Sequence, residues 1–93
     1  MRESVIESAL VREARRCGGW ALKLTCPGTA GMPDRLLLGS GGRLAFVELK
    51  APGRKPIPLQ ALRAERLRAL GFRAETVDSA EAAERVAREV CGR

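Results

Sequence analysis

The sequence contains no histidine, and only three of its 93 residues are aromatic. Its three cysteines, Cys17, Cys26 and Cys91, form no Cys-x-x-Cys pair. Because the usual zinc ligand sets are missing, we expect no zinc site. An odd number of cysteines also fits a secreted disulfide framework poorly. It favours a reducing environment, with the thiols acting as small core residues.

Long apolar runs are absent as well. Charged residues begin at Arg2 and recur through the chain, so no segment is long and apolar enough for a signal peptide or a membrane span. We therefore expect a soluble protein of the cell interior, in the cytoplasm, without a membrane partner. The sequence does not distinguish a cellular protein from a virus-encoded one.

The length predicts a single domain over residues 1–93, since independent cores need at least about fifty residues each. A domain this short buries only roughly 60 to 65% of its unfolded surface, which makes a homodimer plausible. Seventeen Lys and Arg against eleven Asp and Glu give a net charge of +6. This excess favours a nucleic-acid partner through phosphate contacts, although basic charge that only maintains solubility explains it equally well.

The hydrophobic pattern predicts an α/β fold with a mixed central sheet flanked by helices. Its elements follow the order α-β-β-β-α-β-α: a helix from Ser4 to Cys17, a strand over Trp20–Thr25, a hairpin of Leu36–Leu38 and Leu44–Lys50, a helix from Pro58 ended by Gly71, a strand over Phe72–Val77, and a helix after a capping-box-like Asp78-Ser79-Ala80-Glu81.

Two further features concern nucleic-acid contacts. The aromatic residues Trp20, Phe46 and Phe72 fall in predicted strands, where core packing explains them, so we expect little stacking on bases. Segment 26–33 contains two prolines and two glycines and is predicted to be an irregular loop. Its stretch from Gly28 to Met32 either closes over DNA or only changes the direction of the chain.

One end of the predicted hairpin gathers groups that could perform chemistry. The period of two along a strand places Glu48 and Lys50 on one face. Asp34 and Glu48 are nearly equidistant from the turn at Gly41, so antiparallel pairing sets them opposite each other. Facing carboxylates either raise one pKa or bind a hard cation such as Mg²⁺. For an isolated Glu-x-Lys, a salt bridge at an exposed sheet edge is the simpler explanation.

Three segments carry a family resemblance: Gly31-Met32-Pro33-Asp34-Arg35, Phe46-Val47-Glu48-Leu49-Lys50-Ala51, and Pro58-Leu59-Gln60 with the helix that ends at Leu70-Gly71-Phe72. In combination they resemble the VRR-NUC branch of the PD-(D/E)xK nucleases, over about Glu3 to Asp78. The resemblance implies a restriction-endonuclease-like core and a metal-dependent nuclease.

The resemblance also implies roles for single residues. Asp34, Glu48 and the backbone carbonyl of Leu49 would bind the metal ion. Lys50 would be the catalytic lysine, and Gln60 would help to position that lysine or the scissile strand. Without the family resemblance, the simpler interpretation of Gln60 is an ordinary polar residue at the start of a helix.

Helix one often adds another acidic residue to the metal site of this superfamily. Glu7 and Glu3 are both candidates, one turn apart on a shared face. Glu7 is preferred for the catalytic and metal-binding set because it lies nearer the helix centre, whereas Glu3 could simply complement the helix N-terminus. Basic residues could grip the DNA or form a solvated basic face; they are Arg35, Arg54, Lys55 and Lys23, with Arg12, Arg15 and Arg16 as extensions.

The resemblance thus implies an endodeoxyribonuclease that uses Mg²⁺, with Mn²⁺ able to substitute. Its substrate would be branched DNA such as a Holliday junction, cut by a symmetric homodimer with one active site for each strand. Two alternatives stay open: a non-catalytic basic DNA-binding module, and a nuclease subunit active only within a larger repair or restriction complex.

Overall fold

Three helices and four strands follow one another in the predicted order in the computed structural model, which describes residues 1–92. They are α1 (Glu3–Arg16), β1 (Trp20–Lys23), β2 (Arg35–Leu38), β3 (Leu44–Leu49), α2 (Pro58–Ala69), β4 (Arg73–Val77) and α3 (Ala80–Cys91). A single 3₁₀ turn, Ser40–Gly42, joins β2 to β3. The predicted domain end, Arg93, lies outside the described residues. Among those described, no helix combines the length and the apolar character needed to cross a membrane.

The strands form one mixed sheet in the order β1-β2-β3-β4. Strand β2 runs antiparallel to both β1 and β3, and β4 runs parallel to β3. A parallel neighbour needs a crossover connection, and α2 provides it. The predicted α/β fold with a mixed sheet is therefore confirmed.

The main core lies between the sheet and helices α1 and α3. Alternate residues of β3, namely Ala45, Val47 and Leu49, point into it, as the period of two requires. Ile6 and Leu10 of α1 are fully buried against them. Complete burial of one such aliphatic side chain contributes roughly 1.5–3 kcal/mol. The face of β3 that carries Ala45, Val47 and Leu49 is thus committed to the core, and the intervening residues point to the other face.

Helix α2 lies along β4 on this second face. Glu48 alternates with the core-facing residues of β3 and so points to the second face, where it contacts Gln60 of α2. The apolar residues of the helix are mostly solvent-exposed. Only Leu67 of α2 is buried, whereas Leu62 is 58% exposed and Leu70, directly after the helix, is 65% exposed. The second face of the sheet is consequently covered only in part.

The aromatic residues depart from the sequence prediction. Trp20 is 64% exposed, so the expectation that it packs into the core is wrong. The reason is its place at the start of an edge strand, on the face that α1 and α3 do not cover. Phe72 precedes β4, is 45% exposed, and meets Phe46 edge to face with ring centroids 5.8 Å apart. Of the cysteines, only Cys91 is buried.

Candidate active site

The hairpin of β2 and β3 brings Asp34 and Glu48 together at one end of the sheet. The last pair in register is Arg35 with Val47, and one further step places Asp34 opposite Glu48. The Leu49 backbone N–H donates a hydrogen bond of 2.8 Å to Oδ2 of Asp34. The loop carboxylate is therefore fixed to the neighbouring strand and cannot swing freely.

Glu48 is a charged side chain in a buried position, only 5% exposed. Its Oε2 accepts a hydrogen bond of 3.0 Å from Nε2 of Gln60 and lies 3.5 Å from Nζ of Lys50. Its Oε1 is buried and has no hydrogen-bond partner among the described residues. Burial first, and then the negative charge of Asp34, raise the pKa of Glu48 to about 7, although Lys50 acts in the opposite direction.

The unpartnered oxygen tests whether a cation fits this site. A buried acceptor without a partner costs roughly 1–3 kcal/mol, and more if it is charged. Beside it stands a second carboxylate, Asp34, and carboxylate oxygens are the ligands that Mg²⁺ prefers in proteins. A divalent cation at this point would satisfy Oε1 and offset the repulsion between the two carboxylates. The donor set of Asp34 and Glu48 therefore fits Mg²⁺.

Lys50 lies one residue beyond β3. Its backbone N–H donates to the carbonyl oxygen of Val77 at 3.0 Å, which extends the pairing of β3 with β4. Its side chain is only 17% exposed and points to the same face as Glu48, as the alternation predicts. The ammonium group is thus held at the edge of the carboxylate pair.

Gln60 connects the start of α2 to this pair. The backbone N–H of Ile57 donates to Oε1 of Gln60 at 3.0 Å. Because that donor requires the carbonyl oxygen, the amide Nε2 is left to donate to Glu48. Gln60 therefore contacts both the backbone at the N-terminus of α2 and the carboxylate of Glu48. The two interpretations of Gln60, as an ordinary residue at the start of a helix and as a residue of the active site, are compatible.

Glu7 and Arg35 contact each other instead of the carboxylate pair. Nε of Arg35 donates to Oε2 of Glu7 at 2.9 Å, and Nη1 of Arg35 donates to the carbonyl oxygen of Ala21 at 3.1 Å. Within residues 1–92, no three or more His, Cys, Asp or Glu side chains lie close enough to share a metal ion. The structure thus does not gather Glu7 with Asp34 and Glu48.

Glu3 is the acidic residue of α1 that approaches Lys50. It lines a surface cleft of about 280 Å³ together with Lys50, Arg54 and Lys55. Arg54 and Lys55 are exposed in the loop that follows β3. Two of the predicted DNA contacts therefore border the candidate site, while Lys23 is exposed at the end of edge strand β1.

The loop between β1 and β2 lies against α2. Nε of Arg63 donates to the carbonyl oxygen of Ala30 at 2.9 Å. Gly31 has a φ of 83°, and a Cβ there would come within 2.7 Å of the Leu59 side chain. Sequence reasoning missed Arg63, although its spacing of three residues from Gln60 is the signal that places both on one helix face.

Comparison with known proteins gives one close sequence relative. A protein named "Putative nuclease p44", from Acyrthosiphon pisum secondary endosymbiont phage 1, is 48% identical to this chain over 79 residues, which cover 85% of each protein. No protein-family model matches the chain.

Two solved structures share the fold. One, described as "VRR_NUC domain", superposes with a TM-score of 0.84 at 29% identity and covers 90% of this chain and 91% of its own. The other, "VRR_NUC domain protein", has a TM-score of 0.72 at 17% identity, covers 97% of this chain and 88% of its own, and bears on the fold alone. With its sequence relative, its fold and its motifs in agreement, the chain belongs to the VRR-NUC family of the PD-(D/E)xK nucleases.

Proposed function

We propose that the chain is a single nuclease domain, over residues 1–93, that hydrolyses phosphodiester bonds of DNA with Mg²⁺, or with Mn²⁺ in its place. The observation that carries the proposal is the buried carboxylate of Glu48, whose Oε1 has no partner in the described part of the chain and which faces Asp34 beside Lys50. The name of the phage relative, a nuclease, supports the same activity and a viral origin.

Asp34 and Glu48 would hold the metal ion, with the carbonyl oxygen of Leu49 as a third ligand. When bound, Mg²⁺ supplies Lewis-acid polarisation of a phosphoryl oxygen. The hydrogen bond from Leu49 N–H keeps Asp34 in place for this role. Glu7 would join the ligand set only if its ion pair with Arg35 opened.

Lys50 would act on the reacting groups, whereas Gln60 would hold the carboxylate of Glu48 in position. The Lys50 ammonium, 3.5 Å from Oε2 of Glu48, is placed to orient the attacking water or to offset negative charge that develops on the phosphoryl group. The amide of Gln60 holds the same oxygen of Glu48 at 3.0 Å and so would leave the other oxygen, Oε1, available as a metal ligand.

The substrate we propose is branched DNA, such as a four-way junction. Arg54 and Lys55 border the site and are exposed, which suits phosphate contacts, and Lys23 could extend them. Arg35 points toward α1 and would have to leave Glu7 to reach a phosphate. A small basic surface of this kind recognises backbone shape more readily than base sequence.

A homodimer would supply one active site for each DNA strand. Support comes from the partly covered second face of the sheet, where Trp20, Leu38 and Leu44 align across β1, β2 and β3. Trp20 at 64% exposed presents a large apolar surface there. Apolar patches of this kind on small domains commonly mark interfaces.

The test is a cleavage panel of four-way junction, flap, splayed arm and linear duplex DNA with Mg²⁺, with oligomeric state measured by light scattering. The wild-type chain should cut branched DNA as a dimer. Asp34→Asn, Glu48→Gln and Lys50→Ala should each lower the rate at least about 100-fold while binding persists. Glu81→Gln, an exposed acid on α3, is the matched control and should cut normally.

Normal cutting by the three site variants would show that the site is assigned wrongly. Binding without cutting by the wild-type chain, followed by cutting when a partner protein is added, would favour the nuclease-subunit alternative. Binding without cutting under every condition would favour the non-catalytic binding module.

A further inference from the structure

A second cleft, separate from the carboxylate pair, lies between the β1–β2 loop and α2. It has a volume of about 430 Å³ and is lined by Thr29, Met32, Arg63, Arg66, Leu67 and Leu70. This volume falls in the range of small-molecule sites, about 300–1,000 Å³. We propose that the cleft accepts one unpaired, unstacked nucleotide of the DNA strand that is being cut.

The chemistry of the lining matches a nucleotide. Met32, Leu67 and Leu70 provide an apolar surface for the face of a base, and Leu70 is 65% exposed. Arg63 and Arg66 provide guanidinium groups, which pair with phosphates and also stack on flat rings. An apolar surface next to two cations fits a base joined to its phosphate.

Two contacts within the chain hold the walls of the cleft together. Arg63 uses its Nε to hold the carbonyl oxygen of Ala30, and the absence of a side chain at Gly31 lets the loop lie directly on Leu59. One wall is a helix, and the other is a loop attached to that helix. A preformed cleft avoids the ordering cost that a mobile loop would add to binding.

The cleft is also close to the carboxylate pair along two separate paths. Met32 precedes Asp34 by two residues, which spans at most about 7 Å. Arg63 follows Gln60 by three helical residues, a rise of about 4.5 Å. Since phosphates of one strand recur about every 3.4 Å along the axis of a stacked duplex, these spans correspond to a nucleotide about one or two steps from the scissile phosphate.

Charge favours a nucleotide over a second copy of the chain as the occupant. Each copy carries a net charge of +6 and would bring its own arginines toward Arg63 and Arg66. A phosphate has the opposite sign. A paired base enters less readily, because leaving its partner and its stacked neighbours costs about a few kcal/mol that an unpaired base does not have to meet. The cleft would thus select DNA in which a nucleotide near the cut is already unpaired, as at a branch point.

This inference rests on the proposed nuclease function, and the experiment separates the two. Four matched variants are compared with the wild-type chain. Leu70→Ser and Arg66→Ala alter the cleft. Leu62→Ser on α2, at a residue 58% exposed, and Arg85→Ala on α3 change the same residue types outside it.

Binding is measured in EDTA, with 2-aminopurine placed in turn at each of the three nucleotides beside the crossover of a four-way junction. Cleavage is measured with Mg²⁺ on the same junction and on linear duplex. For the wild-type chain, fluorescence should rise at one position as the base unstacks. In Leu70→Ser and Arg66→Ala this rise should be lost and junction cleavage should fall about tenfold, in line with the contribution of one stacked base. Both controls should behave as wild type.

If all four variants kept the fluorescence rise and cut the junction like wild type, the cleft would have no such role, and the nuclease proposal would stand. If Leu70→Ser and Arg66→Ala lost cleavage equally on junction and duplex and also changed the mass measured by light scattering, the cleft would be an interface between copies. That result would also overturn the inference. If the wild-type chain cut nothing, yet the fluorescence rise depended on Leu70 and Arg66, the cleft would stand and the nuclease proposal would fall.

Discussion

Arg35 of β2 and Glu7 of α1 form an ion pair in which Nε of Arg35 lies 2.9 Å from Oε2 of Glu7. The two side chains are 17% and 29% exposed, so the pair is partly shielded from water. Arg35 also donates to the carbonyl oxygen of Ala21 in the neighbouring strand. The pair joins the first helix to the sheet behind the candidate site.

This relationship predicts a structural role for both residues. Arg35→Ala should lower the free energy of unfolding by about 1–3 kcal/mol, because it leaves the Glu7 carboxylate and the Ala21 carbonyl without a donor. Glu7→Gln should cost less, because the amide oxygen can still accept from Arg35. Urea unfolding of both variants and of the double variant measures their coupling.

The cleavage rate of the folded fraction of Glu7→Gln distinguishes a structural role of Glu7 from a role in binding the metal ion. We expect a rate within about threefold of wild type, since a lost metal ligand would cost far more. A loss of 100-fold or more at saturating Mg²⁺ would place Glu7 in the metal site after all. Glu3→Gln is the matched comparison on the same helix, because Glu3 borders the cleft beside Lys50.

Gln60 allows its two contacts to be separated. Gln60→Glu keeps an oxygen for the Ile57 N–H but removes the donor to Glu48, whereas Gln60→Ala removes both. Both variants should lower the cleavage rate about tenfold or more, because Glu48 loses its positioning contact. If the contact with Ile57 alone mattered, Gln60→Glu would cut like wild type.

The stability of these two variants should differ as well. Gln60→Ala should lose about 0.5–2 kcal/mol of unfolding free energy through the lost helix-terminal hydrogen bond. Gln60→Glu places a second carboxylate beside Oε2 of Glu48. The unfolding free energy of this variant should therefore fall further as pH rises and Glu48 ionises. Thermal unfolding at pH 5 and pH 8 distinguishes the two causes.

Glu48 should make the metal-free protein less stable as pH rises. Burial and Asp34 raise the pKa of Glu48 from 4.5 to about 7 in the folded state. Between these values the folded state binds more protons than the unfolded state, so the stability contribution is present below about pH 4.5 and is lost as pH rises through about 7. The expected decline from pH 5 to pH 8 is about 1–3 kcal/mol.

Urea unfolding in EDTA across this pH range measures the decline, and Glu48→Gln is the control because it cannot ionise. The pH dependence between 5 and 8 should flatten in that variant. A wild-type curve as flat over this range as that of Glu48→Gln would contradict a raised pKa for Glu48.

Gly31 and Gly28 form a matched pair for the loop. Their φ values are 83° and 84°, so replacement by Ala strains both backbones equally. A Cβ at Gly28 meets nothing within 4 Å, whereas one at Gly31 would lie 2.7 Å from the Leu59 side chain. Gly31→Ala should therefore destabilise the protein by about 1–2 kcal/mol more than Gly28→Ala. Thermal unfolding of the two variants gives this difference directly.

The same pair tests how the loop supports the candidate site. Gly31→Ala would push the loop off α2 and displace Asp34, three residues further along, so the cleavage rate should fall in this variant and not in Gly28→Ala. Equal rates in the two variants would mean that Asp34 is positioned by β3 alone, through the hydrogen bond from Leu49 N–H.

Sequence alone predicted the element order, the mixed sheet, and the approach of Asp34 to Glu48. These features follow from local rules: the period of two along β3, the distance of each residue from the Gly41 turn, and the capacity of Pro58 to begin a helix. The family motifs depend on the same short-range spacing, which explains why they identified the family from a chain of 93 residues.

Only the tertiary structure decided which side chains these elements present to one another. The rotation of α1 over the sheet pairs Glu7 with Arg35 and brings Glu3 to the cleft beside Lys50. Both glutamates occupy one face of the helix, so spacing could not choose between them. The choice depends on how the helix docks on strands distant in sequence.

The tertiary structure also decided which residues of the second sheet face are covered. Trp20 alternates like a core residue in sequence, yet it is exposed because the strand order places β1 at an edge beyond the reach of α2. The Arg63 contact with Ala30, 33 residues away, shapes the second cleft, and the helical spacing that sets Arg63 on the face of Gln60 does not reveal this contact. Periodicity determined the secondary structure of this protein, whereas long-range packing determined its surfaces, because burial depends on which elements meet.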